Sequence, residues 1–263
     1  MKRISHKIYF GIILAFLYAP LIYLIAYSFN DGKTSVWKGF TFKWYVALFQ
    51  DAQIMESLYN TLLVAFLASL IATILGTMAA IGIYNFKGGY RSAIQNVSNI
   101  PIINPEIVTG VSLMLLFTMA GTMLGFEMGF VTVLLAHIGF CTPYVILNVT
   151  PRLKRMDNSI YEAALDLGCT PVKAFFKVVL PEIMPGIFSG ALISFTYSLD
   201  DFVITYFTRG SKFQTLPVQI YTMTHQRINP KANALSAILF AVILLMLILI
   251  NIRSSKEAKK SRT

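Results

Sequence analysis

Long apolar stretches separated by short polar ones dominate the hydrophobic pattern of this chain. A helix that crosses the hydrocarbon core of a bilayer needs about 20 mostly apolar residues. Stretches of about that length predict membrane spans near residues 8–28, 57–84, 104–123, 130–149, 185–207 and 232–252. The pattern therefore predicts an all-α membrane protein with six transmembrane helices, organised as a single domain over residues 1–263.

Composition supports a membrane protein and excludes a soluble one. Hydrophobic residues make up 56% of the chain and charged residues only 13%, against roughly 25% charged residues in soluble domains. The first stretch follows a basic N-terminus, as in a signal peptide, but it is longer than the apolar region of about 7–15 residues that signal peptides carry. We interpret it as a retained first span.

The distribution of basic residues predicts the orientation. Fifteen of the 22 Lys and Arg residues fall in the two terminal segments and in the loops after the second and fourth spans. Cytoplasmic loops carry the excess of Lys and Arg, so both termini are predicted to be cytoplasmic. The net charge of +10 is explained by anionic membrane lipid and does not require nucleic acid.

The first outer loop contains Trp37, Trp44 and Tyr45. Aromatic side chains of this kind suit either the headgroup level of a membrane or a surface that receives a partner protein. Near the third span, Ile94–Ile103 is apolar but contains Pro101. We expect it to be an interfacial helix or the lead-in to that span.

The third span is predicted to begin with Asn104 as its N-cap and Pro105 at the first helical position. Glu106 follows in the first turn, where the helix dipole favours a carboxylate. A role in helix stabilisation is therefore favoured for Glu106 over a role in a cargo path.

The loop over residues 150–182 carries its own folding signals. Ser159 and Glu162 have the spacing of a capping box, with Ser159 as the N-cap. Gly168 is predicted to end that helix in a left-handed conformation. Thr170-Pro171 should then begin a second helix that ends at Pro181.

The first of these two helices is short, and a helix of about two turns is marginal by itself in water. Ile160, Ala164 and Leu167 share one of its faces, and Ala163 lies beside them. Small side chains allow another backbone to approach closely. The hairpin is therefore predicted to dock into a groove on a partner.

The spacing of Glu162-Ala163-Ala164, Gly168, Val178 and Leu180-Pro181 resembles the EAA motif of ABC importer permeases, with Val178 in place of the usual Ile. The resemblance implies a permease fold of the binding-protein-dependent type, whose cytoplasmic coupling helix contacts an ATPase subunit. The residues implied in that coupling are Ser159, Glu162, Ala163, Ala164, Gly168, Leu180 and Pro181.

Further stretches are similar to the spermidine/putrescine branch of that family. They are Phe42–Tyr45, Asn104–Val108, Ser194–Asp201 and Leu216–Tyr221. The resemblance implies the second of two related permease subunits in a bacterial cytoplasmic membrane. It also implies an external substrate-binding protein and ATPase subunits that bind ATP and magnesium. This chain has no Walker A pattern, so it is expected to hold no cofactor and to hydrolyse no ATP.

Asp200 and Asp201 lie within the predicted fifth span, with Tyr197 and Tyr206 nearby. Intramembrane carboxylates should face a bundle interior or a water-filled cavity. Carboxylates with aromatic rings suit an organic cation, so these four residues are predicted to line the cargo path. They could instead form a gate or pair with the second permease subunit.

His137 and Cys141 are four residues apart in the fourth span. Polar contacts between helices are favoured for this pair over catalysis or metal binding. Cys141 and Cys169 are expected to be free thiols. Two rival functions stay open: a stand-alone channel or ion-coupled carrier, and a membrane-embedded enzyme. The cargo could also be another small cation or small solute.

Overall fold

The structure is a computed structural model that describes residues 2–32, 36–86, 88–226 and 230–260. Its helices run in the following order: α1 Lys2–Ser28, α2 Lys43–Phe49, α3 Ala52–Asn85, α4 Gly89–Ile103, α5 Glu106–Leu124, α6 Phe130–Arg155, α7 Asn158–Asp166, α8 Pro171–Ala174, a π-helical turn Phe175–Val179, α9 Leu180–Asp200, α10 Val203–Thr208, α11 Leu216–Gln226 and α12 Pro230–Lys260. Of the basic residues that set the predicted orientation, Lys33, Lys87, Arg227 and Arg262 lie outside the described residues.

The predicted all-α membrane fold is confirmed. Within the described residues, five helical segments are long and apolar enough to cross a membrane, and Pro230–Leu245 in α12 is a shorter apolar one. All six predicted spans fall on helices. Helix α4 is separate from the third span, with Pro101 inside it.

Several details of the predicted helices are wrong. Pro105, not Asn104, occupies the N-cap of α5, and Asn104 instead caps the end of α4. Pro181 does not end the second loop helix, because helical backbone continues from α8 through the π-helical turn into α9. Pro181 follows directly on a π-helical turn, where the backbone already departs from the regular i→i−4 hydrogen bonding, so its missing N–H is accommodated. The fifth span is also not one continuous helix, since it is interrupted at Asp201 and Phe202.

The chain divides into two compact units, one from residues 1–58 with 216–248 and the other from residues 59–215 with 249–263. The prediction of a single domain stays a prediction. In the first unit Trp44 is buried, and its Nε1 donates a hydrogen bond to the Asn30 carbonyl at 2.7 Å. Trp44 is therefore a core residue, neither a membrane-interface anchor nor a partner-facing side chain, the two alternatives that the sequence left open, whereas Trp37 is half exposed.

The second unit is built on the pairing of α6 with α9. Its core cluster consists of Ala80, Ile83, Val145, Ile146, Val149, Leu153, Val179 and Ile183. A Cβ at Gly190 would lie 3.0 Å from the Cα of Val145, so glycine allows the two helices to approach closely. Close contact through small residues is the usual basis of helix packing in a membrane.

Candidate functional site in the fifth span

A cavity of about 250 Å³ opens beside the interruption in the fifth span. It is lined by Pro101, Ile102, Asn104, Glu106, Thr109, Phe140, Tyr144, Tyr197, Asp200, Asp201, Phe202, Val203 and Ile204. The end of α4, the start of α5, the middle of α6 and the end of α9 therefore contribute to one site. Three of the four residues predicted for the cargo path line it.

One wall of the cavity is aromatic and the groups beside it are acidic. The rings of Tyr144 and Tyr197 stack with their centroids 4.4 Å apart and their planes 19° apart. Asp200 and Glu106 are both exposed and both line the cavity. Stacked rings and carboxylates together can bind an organic ammonium group through cation–π contacts and charge-assisted hydrogen bonds.

Tyr206, the fourth predicted residue, is not among the residues that line this cavity. It lies in α10, where its ring contacts Phe202 and Phe207 at centroid distances of 5.5 and 5.6 Å. The guanidinium carbon of Arg209 is 5.7 Å from the same ring. The structure thus places Tyr206 behind Phe202, which lines the cavity, and not in the cavity lining itself.

Asp201 has a different environment from Asp200. Its side chain is only 6% exposed, and Oδ2 lies 3.4 Å from His137 Nε2. Thr205 donates to the same oxygen from its backbone N–H and from its hydroxyl, each at 2.8 Å. Protein groups at the back of the cavity therefore satisfy the hydrogen-bonding capacity of the Asp201 carboxylate.

His137 and Cys141 join α6 to the fifth span, as predicted for this pair. His137 Nδ1 is 2.6 Å from Ser198 Oγ, and Nε2 is 2.8 Å from Thr205 Oγ1. Ser194 Oγ donates to the Cys141 carbonyl at 3.2 Å, and Cys141 Sγ donates to the Ser194 carbonyl at 3.4 Å. Cys141 and Cys169 are both free thiols.

Sequence reasoning missed the link between His137 and Asp201. The available signal was the spacing of Ser194 and Ser198, which are four residues apart and therefore share a helix face. Polar residues at that spacing within an apolar span indicate a polar partner on a neighbouring helix. His137 and Cys141 present the same spacing on α6.

The loop over residues 150–182 forms the predicted hairpin, but the first cap is different. Asp157 is the N-cap of α7, and its Oδ1 accepts from the Ser159 backbone N–H at 2.9 Å. That hydrogen bond lowers the pKa of the Asp157 carboxyl from its ordinary value. Ser159 is therefore not the N-cap but the second residue of α7. Asp and Ser cap helices about equally well, so the capping-box pattern alone placed the start two residues late.

The turn between α7 and α8 is as predicted. Gly168 adopts φ +82°, and its N–H bonds to the Leu165 carbonyl at 2.9 Å, while the N–H of Cys169 bonds to the Ala164 carbonyl at 3.1 Å. This is the Schellman pattern of a helix C-terminus. Thr170 then caps α8 by accepting from the Lys173 N–H at 3.4 Å.

The predicted coupling residues are spread over the hairpin and its return to the bundle. Ser159, Glu162, Ala163, Gly168 and Pro181 are exposed, Ala164 is half-buried, and Leu180 packs against the core cluster. Leu167 is 86% exposed and Val172 is 66% exposed. An exposed apolar surface at the tip of a capped hairpin is typical of a docking site.

Comparisons with known proteins agree with this architecture. The sequence model of a family described as "binding-protein-dependent transport system inner membrane component" matches residues 72–255. The putrescine transport system permease protein PotI of Escherichia coli (strain K12) is 41% identical over 233 residues, which cover 87% of this chain and 83% of that protein. The spermidine/putrescine transport system permease protein PotC of Haemophilus influenzae (strain ATCC 51907 / DSM 11121 / KW20 / Rd) is 36% identical over 94% of this chain and 95% of that protein.

Solved structures show the same fold at lower identity. A chain of a bacterial ABC transporter involved in the import of alginate superposes with a TM-score of 0.71 at 19% identity, covering 96% of this chain and 95% of that one. A chain of the MetNI methionine ABC transporter has a TM-score of 0.61 at 19% identity, covering 76% of this chain and 96% of that one. The chain belongs to the family of binding-protein-dependent transport system inner membrane components.

Proposed function

We propose that this chain is the permease subunit of an ATP-driven importer of polyamines such as putrescine and spermidine. In this proposal it forms half of the translocation path and performs no covalent chemistry. The observation that carries it is the cavity in which Asp200 and Glu106 lie beside the stacked rings of Tyr144 and Tyr197. Polyamine permeases at 35–41% identity support the same cargo.

Cargo recognition follows from the chemistry of this cavity. A polyamine is a flexible chain with an ammonium group at each end. Asp200 and Glu106 would accept hydrogen bonds from an ammonium group, and Tyr144 and Tyr197 would cover its methylene chain and add cation–π attraction. An intramembrane carboxylate is costly unless it faces such a polar path.

Coupling to ATP hydrolysis would pass through the cytoplasmic hairpin. Helical backbone runs without interruption from Pro171 to Asp200, a distance of about 45 Å at about 1.5 Å per residue. The proposed ATPase-docking surface and the proposed cargo carboxylate therefore lie at the two ends of one helical segment. A displacement of the hairpin by an ATPase would be transmitted along this segment to the cavity wall.

The remaining partners belong to the same proposal. They are a related second permease subunit, an extracytoplasmic binding protein that delivers cargo, and anionic lipid at the basic segments. ATP and magnesium are assigned to the ATPase subunits. Both termini are assigned to the cytoplasmic side of a bacterial cytoplasmic membrane, which the excess of Lys and Arg on that side supports.

Uptake by the reconstituted complex in proteoliposomes tests the proposal. With binding protein outside and ATP inside, radiolabelled putrescine or spermidine should accumulate, and Asp200→Asn should reduce uptake on the order of tenfold or more, because a charge-assisted hydrogen bond is lost. Glu127→Gln is the matched control, since Glu127 is 84% exposed in an outer loop. Accumulation of the polyamine in the absence of ATP would contradict the importer proposal and favour a stand-alone carrier.

The coupling step is tested separately by co-purification. Glu162→Ala combined with Gly168→Pro should remove the ATPase from the complex while the second permease subunit remains bound. Loss of both subunits would show instead that the variant is misfolded. Retention of the ATPase would assign coupling to another surface.

A further inference from the structure

The interruption in the fifth span is closed by one carboxylate. Asp201 lies between α9 and α10, with a ψ of 124° that ends the first helix. Its side chain accepts from the N–H groups of Ile204 at 3.3 Å and Thr205 at 2.8 Å. Two of the backbone donors at the start of α10, which would otherwise lack an intrahelical acceptor, are satisfied in this way.

One imidazole ring holds both sides of the interruption. His137 contacts Ser198, which precedes it, and Thr205, which follows it. The Thr205 hydroxyl has a single hydrogen and donates it to Asp201. The Thr205 Oγ1 atom therefore accepts a hydrogen bond from the Nε2–H of His137. His137 and Asp201 are 1% and 6% exposed, so the chain His137–Thr205–Asp201 is almost completely buried, with only the Asp201 end at the cavity wall.

The carboxylates of Asp200 and Asp201 therefore have different environments. Asp201 is directed into the bundle and has protein donors, whereas Asp200 is exposed in the cavity at the last residue of α9. The direction of Asp200 depends on where α9 stops and how the backbone turns there. Those two properties are set by the contacts of Asp201 and His137.

We propose that His137 and Asp201 are positioning residues, which fix the interruption in the fifth span and so direct the Asp200 carboxylate into the cavity without contacting cargo themselves. This inference rests on the proposed function for the role of Asp200. It assigns different tasks to two adjacent aspartates that the sequence alone treats as equivalent.

Isosteric variants of the two aspartates separate these tasks. Asn keeps one acceptor oxygen for the Thr205 N–H and hydroxyl but loses the acceptor of the Ile204 N–H, so Asp201→Asn should raise the KM for polyamine uptake by no more than about severalfold. Asp200→Asn should raise it on the order of 10- to 100-fold, because the charged acceptor itself is lost. Equal large increases for both variants would overturn the division of roles.

A double-mutant cycle tests whether His137 acts through Asp200. His137→Ala should raise KM on the order of tenfold in the native chain, and by less than about twofold when Asp200→Asn is already present. Equal increases in both backgrounds would show a merely structural role and overturn the proposal. His225→Ala is the matched control, because His225 is exposed in α11, and His137→Gln replaces His137→Ala if the alanine variant does not assemble.

A cargo-free measurement distinguishes failure of this inference from failure of the proposed function. In a Cys169→Ser background, Asp200→Cys is labelled with a hydrophilic thiol reagent, and Cys141 is protected by complete burial. His137→Ala should change the labelling rate at least about tenfold, as expected if a buried polar network fixes the local backbone. An unchanged rate overturns the positioning role. A changed rate together with normal polyamine uptake by Asp200→Asn supports positioning and contradicts the cargo assignment.

Discussion

The two ends of α9 both depart from a regular α-helix, but in different ways. At the N-terminal end the Leu180 N–H bonds to the Phe175 carbonyl across a π-helical turn, and the chain stays helical. At the C-terminal end the helix stops, and His137 from α6 contacts both sides of the interruption. The hairpin that precedes the N-terminal end is capped by groups of its own sequence, whereas the C-terminal end depends also on His137, more than sixty positions away. Local caps allow a segment to move as a unit, and long-range buried hydrogen bonds fix one arrangement.

The largest effect is expected at the C-terminal end of α9. Asp201→Ala leaves the backbone N–H groups of Ile204 and Thr205 and the Thr205 hydroxyl without their acceptors, which should cost about 2–4 kcal/mol in stability. Thermal unfolding of the complex in detergent measures this loss. Asp201→Asn, which keeps an acceptor, should lose far less, and equal losses would show that the cap and the buried chain do not stabilise the interruption.

The next effect is expected at the hairpin, in association rather than folding. Leu167→Asp places a charge in the middle of the proposed docking surface and should weaken ATPase binding by on the order of 2 kcal/mol, about 30-fold in Kd. Leu167→Met keeps the apolar surface and serves as the control. Because Leu167 is 86% exposed, the melting temperature of the permease without ATPase should not change. Unchanged ATPase binding would exclude this surface as the docking site.

A smaller effect is expected in the turn of the hairpin. Gly168 has φ +82°, and no atom lies within 4 Å of the position that a Cβ would take, so Gly168→Ala meets backbone strain alone, about 1–2 kcal/mol. The strain should shift α7 relative to α8 and reduce polyamine-stimulated ATP hydrolysis severalfold. Gly139→Ala, in the interior of α6 with equally open space, should leave hydrolysis unchanged. Equal reductions of ATP hydrolysis by the two variants would contradict a specific role of the turn.

The smallest effect is expected for an ion pair in the first compact unit, which does not include α9. Lys231 Nζ donates to Asp51 Oδ2 at 3.0 Å, and this contact lowers the pKa of the Asp51 carboxyl. The folded state therefore binds the proton less tightly than the unfolded state. The stabilisation is present above the ordinary Asp pKa near 4 and is lost as pH falls through the lowered value.

Both partners of this pair are partly exposed, so screening limits its contribution to at most about 1 kcal/mol. Comparing the melting temperatures of the native chain and Asp51→Asn at pH 7 and at pH 3 measures it. The difference between the two proteins should be present at pH 7 and shrink at pH 3. A difference that grows on acidification would contradict the direction of the pKa shift.

The six spans and the hairpin turn could be predicted from the sequence because each depends on neighbouring residues. Apolar length defines the spans, and Gly168 and Thr170 act on their own backbone. The interruption at Asp201 could not be predicted in the same way, because hydropathy averages over a whole window and the flanking residues are apolar. The stabilising partner His137 is adjacent only after α6 and α9 have packed. Serine residues spaced four apart indicated a polar face but not its partner.

The number of residues in the segment between α8 and α9 affects the direction in which the hairpin points. A π-helical turn is an α-helical turn that holds one extra residue, and each residue of a regular α-helix rotates the chain by about 100°. Because the widened turn Phe175–Val179 already absorbs an extra residue, deleting the exposed Phe176 would return it to a regular α-helix and leave α7 and α8 close to their present orientation. Deleting a residue from the regular turns of α9 would instead rotate the hairpin by about 100° around the helix axis and turn its apolar tip away from a partner. The π-helical turn is therefore the place where this segment should best tolerate a change in length.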